Sequence, residues 1–425
     1  MVQLGDVAAP TGTEVVPVGD HLVVLHGPSR RTAVLNASAA AVYLSLDGRR
    51  RVRDLADELA AETGQTRGVI EAQVRAAVDE LCRVGVARIV GPGHDADRPA
   101  ETARRGPSRS PGRWQPHIER LMADRRWRLQ CARVPLVDTT CEIRVDDASV
   151  ARLVDQVLPE PVRRRSPDGA DGPDPIDAHA IVVVTDWWRG RPRYRIVVDG
   201  RVASRVARPE LAAEDVLHHL DALAISATPG RLLWHAGAVE RGGRVAAVLG
   251  PSGRGKSTLV TSLVRRGARY LTDEVVAVAP GSMAVAPYAK TLDLDADAQR
   301  RLGFTVGGVV LAGPKHRFPV ARLGQASAGG TLALLVVLDG DGVGTSTRVG
   351  AEARPVERLA PADALVALLG ATFGATFATP GHLQASARAC QQVPAVRLAR
   401  IPLSGAAALV ERLLAEPGAP PSLSR

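Results

Sequence analysis

The stretch Gly250, Pro251, Ser252, Gly253, Arg254, Gly255, Lys256, Ser257 constrains this chain more than any other, because it fills the pattern G-x-x-x-x-G-K-[ST]. Its flanks are those that such a loop requires. Arg244–Leu249 before it is an apolar run of strand type, and Thr258–Val264 after it reads as a helix. Strand, loop and helix in that order turn consecutive backbone N–H groups inward, and the positive end of the helix adds to their pull on an anion. Residues 250–258, Thr258 included, are therefore the candidate nucleotide-binding segment. Lys256 can reach the β and γ phosphates, and the Ser257 hydroxyl can hold the Mg2+ that bridges them.

A chain of 425 residues with 45% hydrophobic content exceeds what one ordinary core organises, so two or three domains are expected. No apolar run approaches the roughly 20 residues needed to span a bilayer, and Met1-Val-Gln-Leu-Gly-Asp6 lacks a basic segment followed by an apolar one. The expectation is a cytoplasmic protein with no membrane partner. Cys82, Cys131, Cys141 and Cys390 show no C-x-x-C pair and no histidine at metal spacing, so reduced, mostly buried thiols are expected.

The net charge of +9 raises nucleic acid as a partner, but its location argues otherwise. Residues 1–90 hold 10 arginines against 11 acids, residues 91–232 hold 23 basic groups against 21 acids, and residues 233–425 hold 21 against 13. The excess follows the phosphate loop. Only three basic residues are lysines, Lys256, Lys290 and Lys315. Where arginine serves nearly everywhere, a lysine marks a place for a compact ammonium, which makes Lys290 and Lys315 candidate phosphate or substrate contacts.

Three segments emerge along the chain. In residues 1–90, strand-like runs at Val15–Val18, Leu22–Leu25 and Thr32–Leu35 precede three helices. Asn36 or Ser38 can cap the first, which runs from Ala39 to Leu46; the second spans Val52–Glu62; the third, Gly68–Val84, sets Ile70, Val74, Ala77, Val78 and Leu81 on one face. Residues 91–113, rich in Gly, Pro, Arg, Asp and Ser, read as a flexible linker. Residues 114–232 alternate helix-like and strand-like pieces, including Ser149–Leu158, Ala180–Thr185 and Tyr194–Val198, with an exposed loop expected over 163–177. No catalytic constellation shows there, so a scaffolding or substrate-shaping role is expected. Residues 233–425 carry the loop.

Beyond the loop helix, Asp273 and Glu274 enter the strand-like run Val275–Val278. An acidic residue at a parallel strand beside such a loop is where a metal partner or catalytic base is kept. Asp273 could accept the proton of an attacking hydroxyl while Glu274 bears on the metal. His235, just before the loop strand, is as readily structural as catalytic.

His235-Ala-Gly-Ala-Val239, the loop, and Arg266-Gly-Ala-Arg-Tyr-Leu-Thr-Asp-Glu274 together resemble the nucleotide-binding core of the HPr kinase/phosphorylase family, and within it the peptide serine kinases of gene clusters for ribosomally made, modified peptides. The resemblance spans roughly residues 130–415 and is specific only at 235–278. It implies an α/β P-loop kinase domain using ATP and Mg2+, with His235 in the active site, Lys256 and Ser257 on phosphates and metal, and Asp273 as base. Glu274 stands where the family has aspartate, and the E-[IV]-R-G signature of the true HPr enzymes is missing. HPr and phosphorolysis are therefore not expected. Lys290, Lys315, Arg317 and Arg322 lie where related kinases contact phosphate and substrate.

The strands of residues 14–90, with Leu35-Asn-Ala-Ser-Ala39 and Leu46-Asp-Gly48, resemble a PqqD-type domain, a small α+β, winged-helix-like unit. Such domains bind the leader of a precursor peptide as an added strand. The resemblance implies contacts at Thr32, Ala33, Val34 and Leu35, and on the third helix at Val74 and Val78. A DNA-binding winged helix has the same element order, but a charge of −1 over residues 1–90 offers little to phosphates. The combined expectation is a kinase acting on a serine, at the C-terminus in lasso-peptide clusters by resemblance, of a peptide captured by residues 14–90. Other enzymes of the same cluster are expected partners, and self-association is left open. A small-molecule or carbohydrate kinase, and a regulatory ATP-binding module, are the alternatives.

Overall fold

The computed structural model describes residues 2–4, 6–11, 14–26, 31–63, 66–90, 130–158, 163–164, 179–188, 191–288, 290–304, 307–338, 356–374, 376, 381–399 and 401–416. The expected linker at 91–113 lies outside them. So do residues 165–177 of the expected loop.

The N-terminal unit runs β1 (Val7–Pro10), β2 (Glu14–Val18), β3 (His21–His26), β4 (Arg31–Leu35), α1 (Ala37–Ser45), α2 (Val52–Thr63), α3 (Arg67–Val84) and β5 (Ala87–Val90). β2, β3 and β4 form an antiparallel meander in that order, and β1 pairs with β5. Both of these last two are four residues long and lack clear alternation, too little pattern to mark a strand in the sequence. Asn36 caps α1, its side chain accepting from the Ala39 N–H at 2.9 Å. Asn36→Ala is expected to cost about 1 kcal/mol, read as an earlier urea transition of the N-terminal unit; an unmoved transition would mean the cap is replaced by water.

Val74 and Val78, expected as leader contacts, are instead core. They are 2% and 0% exposed and pack with Val24, Ala33 and Leu35. Their i, i+4 spacing reported a face turned to the sheet, not to a ligand.

The middle segment comprises β6 (Gln130–Pro135), β7 (Thr140–Val145), α4 (Ala148–Val157), β8 (Arg163–Arg164), β9 (His179–Trp188), β10 (Arg191–Val198), β11 (Arg201–Val206) and α5 (Pro209–Ser226). Its strands make one sheet in the order β11-β10-β9-β7-β6-β8, with β7 and β9 parallel around the α4 crossover. Arg163 and Arg164, expected in a loop, form the short edge strand β8 on β6.

The body follows: β12 (Leu232–His235), β13 (Gly237–Arg241), β14 (Arg244–Leu249), α6 (Lys256–Arg265), β15 (Arg269–Thr272), β16 (Val275–Val278), β17 (Ala284–Ala286), β18 (Leu292–Leu294), α7 (Ala296–Arg301), β19 (Val309–Val310), β20 (His316–Phe318), β21 (Gly330–Leu338), β22 (Val356–Arg358), α8 (Pro361–Gly370), α9 (His382–Gln392), β23 (Ala395–Leu398) and α10 (Leu403–Ala415). β14, β21 and β23 are its parallel centre. Around them run β12-β16-β17 on one side and β13-β15 on the other. The expected boundary at 232/233 cuts β12.

The central strands are predominantly apolar because both their faces are covered. Val245, Ala247 and Leu249 of β14 meet α8 and α9, while Ala246 and Val248 meet α6 and α10. β16 welds the middle segment to the body in the same way, with Val275 and Ala277 turned to α5 and Val276 and Val278 to α8 and α9. The fold class is thus a small α+β unit followed by a mixed α/β body. Among the described residues, no helix is long and apolar enough to cross a membrane.

Candidate active site

The loop leaves the carboxyl end of β14, the place where parallel sheets present their ligand crevice. Gly250 has φ +148°, and a side chain there would meet Leu338 Cβ and O at 3.1 Å. Gly255, at φ +88°, is the N-cap of α6 and brings no side chain to its first N–H groups, so these stay open to a ligand. Upstream, Gly237 lets α6 close on the sheet: a Cβ would lie 2.6 Å from Val260 Cγ2. Lys256 is 7% exposed, and its Nζ donates to the carbonyls of Gly250 and Pro251 at 2.8 and 3.2 Å. Burial lowers its pKa, the charge of Lys315 lowers it further, and those of Glu274 and Asp273 raise it. Loop lysine, acid pair and Lys315 therefore share one electrostatic neighbourhood.

Asp273 follows β15, which pairs antiparallel with β13, and β16 beyond it pairs antiparallel with β12 and β17. The expected parallel strand is not there; the strand parallel to β14 is β21. The acids still reach the loop because β15, β13 and β14 are successive neighbours in one sheet. Asp273 is 4% exposed. The Tyr270 hydroxyl donates to its Oδ1 at 3.0 Å and the Asp293 N–H to its Oδ2 at 3.3 Å. Burial pushes its pKa up to about 6, with Asp293 and Glu274 adding to the rise and Lys290 opposing it.

Glu274 behaves oppositely although it is adjacent. His235 Nδ1 lies 3.0 Å from its Oε1 and Lys290 Nζ 3.5 Å from its Oε2. Burial acts to raise its pKa, but those two partners outweigh it and hold the carboxyl down at about 2. The two adjacent carboxyls are thus shifted in opposite directions. His235 is further set by its N–H donating to Ala371 O at 2.7 Å and by Phe373, edge-on at 5.9 Å.

A cleft of about 330 Å3 opens beside this pair, lined by Glu274, Lys290, Asp293, Lys315 and Arg317 together with Glu214 and Asp221. Lys290 is bound by Asp221 at 3.3 Å; burial disfavours its charge, but Asp221, Asp273 and Glu274 overcome this and raise its pKa. Arg317 is 5% exposed, paired with Glu214, and faces Asp293 across the β18–β20 pair, Nε to Oδ1 3.7 Å. Arg322, expected beside these, is exposed in a short helical turn and does not line the cleft.

Glu214 and Asp221 bring residues 114–232 to the cleft, since both are carried by α5 and line it. Their spacing of seven puts them on one helix face with His218, a signal present in the sequence. It had no meaning until Lys290 and Arg317 were brought opposite. Tyr270 and Tyr288 were missed as well; Tyr288 donates to Asp221 at 2.8 Å.

The oxygen donors Ser257, Asp273 and Glu274 suit a hard cation. Among the described residues, no group of three or more His, Cys, Asp or Glu forms a closed cage. Mg2+ needs none, because it keeps waters and takes one or two protein oxygens plus those of the phosphates.

Residues 21–87 match the family described as coenzyme PQQ synthesis protein D (PqqD). No curated protein matches the chain. Among solved structures, the Hpr(Ser) kinase/phosphatase from Coxiella burnetii is similar at 14% identity over 43% of this chain and 93% of its own, with a TM-score of 0.22.

Proposed function

We propose that this protein is an ATP-dependent kinase that phosphorylates a serine of a ribosomally made precursor peptide, held through its leader by the N-terminal unit. The observation that carries the reading is the buried Asp273 within the electrostatic reach of Lys256, one carboxyl raised to about 6 beside another held at about 2. A phosphate loop by itself binds nucleotide; a poised base beside it serves transfer to a hydroxyl. The N-terminal match supports a peptide as owner of that hydroxyl.

In this reading the N–H groups of residues 252–257 and the ammonium of Lys256 hold the phosphates in line. Mg2+, when bound with them at Ser257 and Glu274, would neutralise their charge. Asp273 takes the proton of the serine hydroxyl as its oxygen attacks the γ phosphorus and the bond to the β-γ bridging oxygen breaks. Tyr270 and the Asp293 N–H orient the base. Lys290, pinned by Asp221 and Glu274, places a fixed positive charge at the mouth of the site.

The test is incubation of the full chain with ATP, Mg2+ and the precursor peptide encoded beside it, read by mass spectrometry. A gain of one phosphate, mapped to serine, is expected. Hydrolysis of ATP with no mass added to the peptide would sink the peptide-kinase reading.

A further inference from the structure

Arg317 is the most buried charge lining the cleft, and with Asp293, its register partner across β18 and β20, it forms the floor. α5 forms a wall with Glu214, Leu217 and Asp221. The floor also reaches the candidate base. Asp293 turns its carboxyl towards Arg317 while its backbone N–H donates to Asp273 Oδ2.

The ion pairs of this floor are incomplete. Lys290 is shared between Asp221 and Glu274, but Arg317 gives only its Nη2, to Glu214 Oε1. Its Nε stops 3.7 Å short of Asp293 Oδ1, outside hydrogen-bond range. Among the described residues, four buried atoms here have no hydrogen-bond partner: Arg317 Nε and Nη1, Glu214 Oε2 and Asp293 Oδ1. Donors and acceptors are thus both unmet, on three side chains that line one cleft. Such atoms are costly to leave unpaired, the more so on charged groups.

That mixture selects the chemistry of a ligand. An anion drawn to Arg317 would meet Glu214 and Asp293 as well, and a cation drawn to those carboxylates would meet Arg317 and Lys290. A neutral group that donates and accepts at once suits both. A peptide bond does so from opposite edges of one rigid plane, its N–H to a carboxylate and its carbonyl to the guanidinium. A polyol also donates and accepts, but half-buried Leu217 in the wall offers apolar surface that suits the side chain of a peptide. At about 330 Å3 the cleft is at the lower end of ligand pockets, the size for a short stretch of chain.

We propose that Arg317, Glu214 and Asp293 form a subsite for a peptide bond of the acceptor, adjoining the serine served by Asp273. The subsite favours a serine within a chain over the free amino acid. Its part in phosphate transfer rests on the function proposed above; recognition of the peptide bond does not.

The test uses the full chain with a non-hydrolysable ATP analogue and a fluorescently labelled peptide that spans the serine-bearing segment of the precursor without its leader. Replacing the N–H of a peptide bond adjoining the serine by an ester oxygen keeps the shape and removes one donor. This is expected to weaken binding about tenfold, the worth of one hydrogen bond to a charged group. Arg317→Met is expected to weaken the amide peptide by a similar factor with affinity for the ATP analogue unchanged, and in that variant the ester is expected to cost little more, because the two changes remove one interaction. The ester arm needs no altered protein, so it stands even if the variant fails to fold. No binding of the segment, or an ester bound as tightly as the amide at every adjoining bond, overturns the subsite; a trapped water would then satisfy the floor. Phosphate transfer to free serine or glycerol at the kcat/KM of the peptide overturns it as well. Binding with the expected losses but no transfer supports the subsite and removes the kinase reading alone.

Discussion

Lys256→Ala is expected to lower the rate of peptide phosphorylation by about 10²- to 10³-fold, the loss typical of removing one preorganised charge from a site of developing negative charge. The ammonium is 7% exposed and held on the carbonyls of Gly250 and Pro251, so it is already placed before any nucleotide arrives. Burial and Lys315 disfavour its charge when the loop is empty. Phosphates relieve that cost, and binding and transfer should fall together in the variant. Lys256→Arg is not expected to rescue, because a planar guanidinium cannot occupy the turn that a compact ammonium fills. Steady-state transfer with a parallel measurement of ATP affinity checks this. Activity retained within a few-fold in the alanine variant would remove the loop from the chemistry.

Asp273→Asn is expected to cost about 10²- to 10⁴-fold in transfer, the range for a lost general base. The amide keeps the shape, and the Tyr270 hydroxyl still has an oxygen to donate to. The pH dependence gives the sharper check. A base works ionised, and Asp273 is protonated below its pKa, which burial, Asp293 and Glu274 push up to about 6 against the pull of Lys290. The rate should therefore rise tenfold per pH unit up to about 6 and level off above it. Glu274, held at about 2, adds no second limb in that range. A profile flat from pH 5 to 8, or a variant that keeps its rate, would place the base elsewhere.

The local elements of this chain were legible because each is written in a few adjacent residues. The strand, loop and helix around Gly250 follow from spacing alone; β2, β3 and β4 follow from short apolar runs bounded by turn residues, and α3 from its uninterrupted helical periodicity. β1 and β5 escaped because four-residue strands carry too little pattern. Val74 and Val78 were misplaced for a related reason: periodicity identifies a helix face without saying whether a core or a ligand lies against it. The resemblance places Arg322 and Arg317 alike where related kinases contact phosphate and substrate, yet only Arg317 sits on a strand that crosses Asp293.

The sequence by itself determined a strand, loop and helix with the spacing of a phosphate loop, an acid pair and a histidine that accompany it, and a small unit of near-neutral charge that precedes them. Those are properties of short segments, set by dihedral preference, side-chain period and local chemistry. Only the tertiary structure decided that Glu214 and Asp221, roughly seventy to one hundred residues distant along the chain, pair with Lys290 and Arg317. It alone decided that Asp273 is buried and Glu274 clamped, and that the sheet of the first unit is also a wall of the last. Burial and ion pairing depend on which distant surfaces meet, and the pKa difference between two adjacent carboxyls arises there, not in the order of residues.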